Sequence, residues 1–142
     1  VIWSSPPGPQ ELETALDKVD PERVCLLTRS KENESPTDFL RVLSGLAKAV
    51  VAQRQGQVRL VELAERLGHR EQTVLRGLDY LAGMGRLRYR EFEGRLYIES
   101  DGEEIGESKG EALQNLLLET AAYRRFFDEA KAEKILNFTR TP

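Results

Sequence analysis

The chain has 142 residues, 39% hydrophobic and 32% charged, with a formal net charge of -3. That length suits one domain of ordinary size or two very small ones around a modest core. The acidic sum argues mildly against tight, autonomous duplex binding, and the lone Cys25 excludes a disulfide framework or a cysteine-based zinc cluster within the chain. No secretory leader pattern is visible, and the longest apolar run is far too short to span a bilayer. The expectation is therefore a cytoplasmic protein with no membrane contact. The chain opens at Val1 directly in a strand-like run, as an excised piece of a longer polypeptide would.

In chain order, Val1 to Ser4 reads as a short strand, broken by Pro6, Pro7, Gly8 and Pro9. Leu12, Ala15, Leu16 and Val19 recur at helical spacing over Gln10 to Val19, and Asp20-Pro21 ends that helix. Arg23 to Thr28 reads as a second, nearly apolar strand holding Cys25, so residues 1–30 are expected to form a βαβ unit. After a polar linker, Ser35 is placed to cap a helix from about Pro36 to about Gln55, with Pro36 at its first position and Asp38 in its first turn. Phe39, Val42, Leu43, Leu46, Ala47, Val50 and Val51 form its apolar stripe, and Gly56 ends it.

Val58 to Gly102 carries the most information. Leu60, Leu63, Ala64 and Leu67 define a short helix, Gly68 a tight turn, and Val74, Leu78 and Leu81 the inward face of a second helix over Thr73 to Ala82. Leu87, Tyr89, Leu96 and Ile98 then alternate with polar residues about a Glu93-Gly94 turn, which reads as a hairpin. Helix, turn, helix and hairpin is the pattern of a winged helix. A final helix over Lys109 to Asn137 presents Leu113, Leu116, Leu117, Ala121, Phe127 and Ala130 inward. The fold class expected is α+β: a winged helix-turn-helix core with an N-terminal βαβ unit and a long C-terminal helix. Its boundaries are 1–30 for the βαβ unit and 36–142 for the winged-helix domain with flanking helices, together one accessory domain of a longer chain.

Such a module binds rather than catalyses. From Val50 to Ser100 every basic residue is an arginine, whose planar fork suits phosphate or carboxylate. Early in the second helix, Arg70, Gln72 and Arg76 carry donors suited to bases or phosphates. Against this, Arg70 stands where a Ser, Thr or Asp cap is expected, and Glu71 opposes an approaching phosphate. In the hairpin, Arg86, Arg88, Arg90 and Arg95 are interleaved with Tyr89, Phe92 and Tyr97. Arginines among aromatics suit single strands, which stack bases on rings while guanidinium groups follow the backbone. The same forks suit an acidic peptide, and an ordinary amphipathic hairpin carries the same residue types.

No catalytic arrangement emerges. His69 is the sole histidine, expected to be a packed or surface imidazole. Asp101, Glu103, Glu104 and Glu107 lack the spacing of a calcium loop, and Ser4 and Ser5 lack a nucleophile elbow.

The order of these parts resembles the C-terminal, non-catalytic region of bacterial RecJ-type single-stranded-DNA-specific exonucleases. Three segments carry the resemblance: "WSSPPGPQELETAL" with "DPERVCLL", the winged-helix stretch from Val58 to Ile98, and "ESKGEALQ" over Glu107 to Gln114. The resemblance implies a parent hydrolase of DNA repair and recombination that degrades single strands from the five-prime end. The family's Asp-His-His motif and its divalent metal belong to another domain, and no position here matches them, so no catalytic residue, cofactor or metal ligand is expected in this chain. It also implies docking of the acidic, aromatic-tipped tail of single-stranded-DNA-binding protein, or assistance in holding single-stranded DNA, beside the parent's catalytic domains. The candidate binding residues are Arg70, Gln72, Arg76, Arg86, Arg88, Arg90, Arg95, Tyr89 and Tyr97. Two alternatives stand beside this reading: a transcription regulator whose second helix reads duplex DNA, and a purely structural domain.

Overall fold

The computed structural model describes residues 5–22, 35–103, 106 and 110–129. They form a mixed α+β fold of five helices and a three-stranded antiparallel sheet. The two strands expected at residues 1–4 and 23–28, and with them the βαβ unit, Trp3 and Cys25, lie outside the described residues. So does the part of the final helix expected beyond residue 129.

Contacts divide the chain into two units, residues 34–117 and residues 1–33 with 118–142.

The larger unit begins with α2 (Pro36–Arg54). Ser35 caps it as expected: its Oγ accepts from the Asp38 N–H at 3.1 Å, with Pro36 at the first position. Gln55 and Gly56 turn the chain into β1 (Gln57–Arg59), a three-residue strand that sequence periodicity does not reveal. The chain then enters α3 (Leu60–Leu67), whose Leu60, Leu63, Ala64 and Leu67 are all buried. Gly68 ends α3 in the left-handed region, and α4 (Glu71–Gly83) follows. The hairpin is β2 (Arg88–Phe92) and β3 (Arg95–Glu99). Its Glu93-Gly94 turn has positive φ at both residues, the handedness that matches strand twist. The strand order is β1-β3-β2, so the late strand β3 sits in the middle and ties the hairpin to the short strand before α3.

One core joins these elements. Phe39, Leu43, Ala47 and Val50 from α2 meet Val74, Leu78 and Leu81 from α4, Val58 from β1, Leu96 and Ile98 from β3, and Leu113 and Leu117 from α5 (Gly110–Glu129). Helices α2 and α4 approach closely at Gly77, where a Cβ would lie 2.5 Å from Leu43 Cδ2 and 2.7 Å from Phe39 Cε1. Val42, expected in the α2 stripe, is instead 46% exposed, and Ala121 of α5 is also exposed. His69 is buried at the α3–α4 turn, edge-on to Phe39 with ring centroids 4.9 Å apart.

In the smaller unit, α1 (Pro9–Val19) buries Leu12 against Phe127, with Leu16 and Tyr123 packed beside them. The Ser5 hydroxyl donates to Asp128 Oδ1 at 3.0 Å, and Arg124 Nε donates to the Ser5 carbonyl at 3.3 Å. Burial, assisted by the Glu11 charge, pushes the Tyr123 hydroxyl above the ordinary tyrosine range.

Candidate functional site

Strand register sorts the hairpin residues onto two faces. Directly opposed residues share a face, and successive residues alternate. Val58, Leu96, Ile98 and Tyr89 therefore point to the core side, consistent with their burial. The opposite face carries Gln57 and Arg59 from β1, Arg95, Tyr97 and Glu99 from β3, and Arg88, Arg90 and Phe92 from β2. Its arginines are exposed, and Phe92 is 65% exposed, a large apolar ring open to solvent.

The pairing sets these residues in rows. Arg59, Arg95 and Phe92 align across the three strands, next to a row of Gln57, Tyr97 and Arg90; beyond it Glu99 faces Arg88. Arg88 and Glu99 form an ion pair at 3.5 Å with both side chains 64% exposed, a geometry that contributes little. The Arg90 guanidinium lies 5.7 Å from the centre of the Tyr97 ring. Such an exposed cation–π contact stabilises by about 0.5–1 kcal/mol. Among the described residues, no carboxylate lies within ion-pair distance of Arg59, Arg90 or Arg95.

Of the residues singled out from sequence, this face brings together Arg88, Arg90, Arg95 and Tyr97. It adds Arg59, which only the pairing of β1 with β3 brings there, and gives Phe92 a place at its edge. Tyr89 lies on the inner face, where its hydroxyl donates to Asp79 Oδ1 at 2.5 Å. Burial, with the Asp79 hydrogen bond and charge beside it, pushes its ionisation well above the ordinary range. Arg86 is exposed in the link between α4 and β2.

The start of α4 is less open. Arg70 is its half-buried N-cap and makes no side-chain cap bond; Thr73 is buried. Gln72 and Glu71 are exposed, while Arg76 donates to Asp79 Oδ2 at 3.2 Å.

A separate groove lies between α2, β1 and α3. Leu46, Val50, Val58 and Leu63 line it, with Arg54, Glu62 and Arg66 also in its wall. Glu62 accepts from Arg54 at 2.7 Å and Arg66 at 3.3 Å, and the Arg54 hydrogen bond holds its carboxyl below the usual range. The groove measures about 80 Å³, far below the roughly 300–1,000 Å³ typical of ligand pockets. Among the described residues, no group of His, Cys, Asp and Glu could hold a metal ion, and no helix is long and apolar enough to cross a membrane.

No family model, curated protein or solved structure matches the chain.

Proposed function

We propose that residues 34–117 are a winged helix that acts as a non-catalytic recognition module, holding single-stranded DNA on the outer face of its sheet. The order α2, β1, α3, α4, β2, β3 supports the winged-helix reading. One observation carries the functional reading: Arg59 and Arg95 stand directly opposite each other on an exposed face that also carries Arg90, Tyr97 and Phe92. Like charges directly opposite each other destabilise a sheet. A face that tolerates this repulsion, and leaves an aromatic ring in water beside it, is suited to a polyanion with flat apolar groups. A single strand has both, since its phosphates meet guanidinium groups while its bases stack on rings.

This role accords with the resemblance to the terminal region of RecJ-type exonucleases, in which bond breaking would belong to another domain of the parent chain. Duplex reading through α4 has less support. Only Gln72 and Glu71 are exposed in its first turn, and Arg76 is engaged by Asp79.

Titration of the chain across salt with oligo-dT, a duplex of equal length and an acidic aromatic-ended peptide tests the reading. Oligo-dT is expected to bind with an affinity whose logarithm falls linearly with the logarithm of salt concentration. Reversal of Arg59 and Arg95 to Glu abolishes that binding, whereas Gln72→Ala leaves it intact. Preference for the duplex, with loss on Gln72→Ala, overturns the proposal in favour of a regulator. Preference for the peptide, lost with the same arginines, assigns the face to the tail of a partner protein instead.

A further inference from the structure

Four residues on the outer sheet face form a checkerboard. Phe92 is directly opposite Arg95, and Tyr97 is directly opposite Arg90. Along each strand the members of these pairs are two residues apart, so both rings and both guanidinium groups lie on one face. The aromatics occupy one diagonal of the square and the arginines the other. Each ring therefore has an arginine across the ladder and another along its own strand.

We propose that this square takes two consecutive unpaired nucleotides, one base on Phe92 and the next on Tyr97, with the neighbouring arginines on their phosphates. The inference rests on the reading of the face as a single-strand site and specifies its ligand. Spacing decides the form of the strand. Diagonal neighbours on a sheet lie about 7–8 Å apart. Bases in a duplex rise by about 3.4 Å along each strand. Two bases seated on the two rings are therefore pulled out of mutual stacking, which a duplex resists and a single strand permits. Exposure agrees with this use: Phe92 is 65% exposed with its ring open. The Tyr97 ring is met by Arg90 at 5.7 Å, an exposed contact weaker than base stacking, so an incoming base displaces it or stacks over it. Ring faces accept every base, so binding is tolerant of sequence.

The test compares the chain with its Phe92→Ala, Tyr97→Ala, Phe92→Tyr and Tyr97→Phe variants and with the double variant carrying both alanines. The probe is a short oligo-dT and the same strand carrying two adjacent abasic sites. Each alanine variant is expected to bind oligo-dT about tenfold more weakly, with the slope against salt unchanged, because stacking displaces no counter-ions. The aromatic exchanges restore wild-type affinity. The abasic strand binds the wild-type chain about as weakly as oligo-dT binds the double alanine variant. If arginine reversal weakens binding but the alanine variants and abasic strand do not, the two-base inference is overturned while the single-strand reading stands. If neither arginines nor aromatics matter, both fall. Thermal unfolding of each variant separates loss of binding from loss of fold.

Discussion

Arg59 on β1 and Arg95 on β3 are opposed Cα partners, so two guanidinium groups leave neighbouring strands on the same solvent face. Among the described residues, neither forms an ion pair. Opposed like charges cost roughly 0.2–1 kcal/mol. Arg95→Gln is therefore expected to stabilise the free chain by a few tenths of a kcal/mol while weakening strand binding. The gain should be largest at low salt and fade as salt screens the pair. Thermal unfolding at low and high salt reads the first effect, and titration with oligo-dT the second. A loss of stability at low salt would show that the pair is not repulsive.

Tyr89 and Asp79 fasten the hairpin to α4. The Tyr89 hydroxyl donates to one Asp79 carboxylate oxygen at 2.5 Å, and Arg76 donates to the other at 3.2 Å. Tyr89→Phe removes the donor and is expected to cost about 1 kcal/mol. Its pH dependence has a definite sign. The native ionisation of Tyr89 lies above its ordinary value of 10.0, so its contribution is complete below that pH. It is lost as pH rises further, towards the raised native value. Absorbance titration should show Tyr89 and Tyr123 ionising late; the Tyr89 share of that late phase should disappear in Tyr89→Phe, and alkaline unfolding should become less steep.

Glu62 shows the opposite sign. Its carboxyl is held below its ordinary value of 4.5, first by the Arg54 hydrogen bond and then by the charges of Arg54, Arg66 and Arg59. The stability it supplies by linking the end of α2 to α3 is present above that pH and lost as pH falls through the lowered native value. Glu62→Gln should flatten the acid limb of the unfolding temperature against pH and leave the alkaline limb alone. An unchanged acid limb would mean that these exposed arginines do not engage Glu62 in solution.

Much of this architecture is legible in the residues themselves. The stripe Leu60, Leu63, Ala64, Leu67 and the alternation Leu87, Tyr89, Leu96, Ile98 encode burial directly, because period 3.6 and period 2 map onto one face each. Ser35-Pro36 and Glu93-Gly94 announce their cap and turn through local chemistry alone. What stays hidden depends on pairing at a distance. Strand β1 has three residues, too few for a periodic signal, and it exists because Val58 pairs with Leu96 far along the chain. Arg59 therefore joins the candidate site only through register. Proximity to arginines groups Tyr89 with the binding aromatics, although its alternation with Leu87 already puts it on the inner phase. Val42 falls in the helical stripe of α2 yet stays exposed, since a stripe wider than its partner leaves an edge uncovered.

Two glycines of positive φ should differ sharply in their tolerance to alanine. Gly94, at the hairpin tip with φ +73, has nothing within 4 Å of an added Cβ. Gly94→Ala should cost only the backbone penalty, about 1–2 kcal/mol. Gly56 combines φ +80 with a Cβ position directly on the Ile98 carbonyl oxygen. It also donates its N–H to the Val50 carbonyl at 3.1 Å and accepts from the Ile98 N–H at 2.8 Å, so the backbone cannot retreat without loosening α2 or β3. The same penalty plus about 1–3 kcal/mol of overpacking gives Gly56→Ala a cost of about 2–5 kcal/mol. Chemical denaturation of both variants tests this contrast. Equal losses would mean that α2 and β3 do not converge at Gly56. A much larger loss at Gly56, with oligo-dT binding retained in Gly94→Ala, would show that the α2–β3 junction, rather than the hairpin tip, holds the arginine face in register.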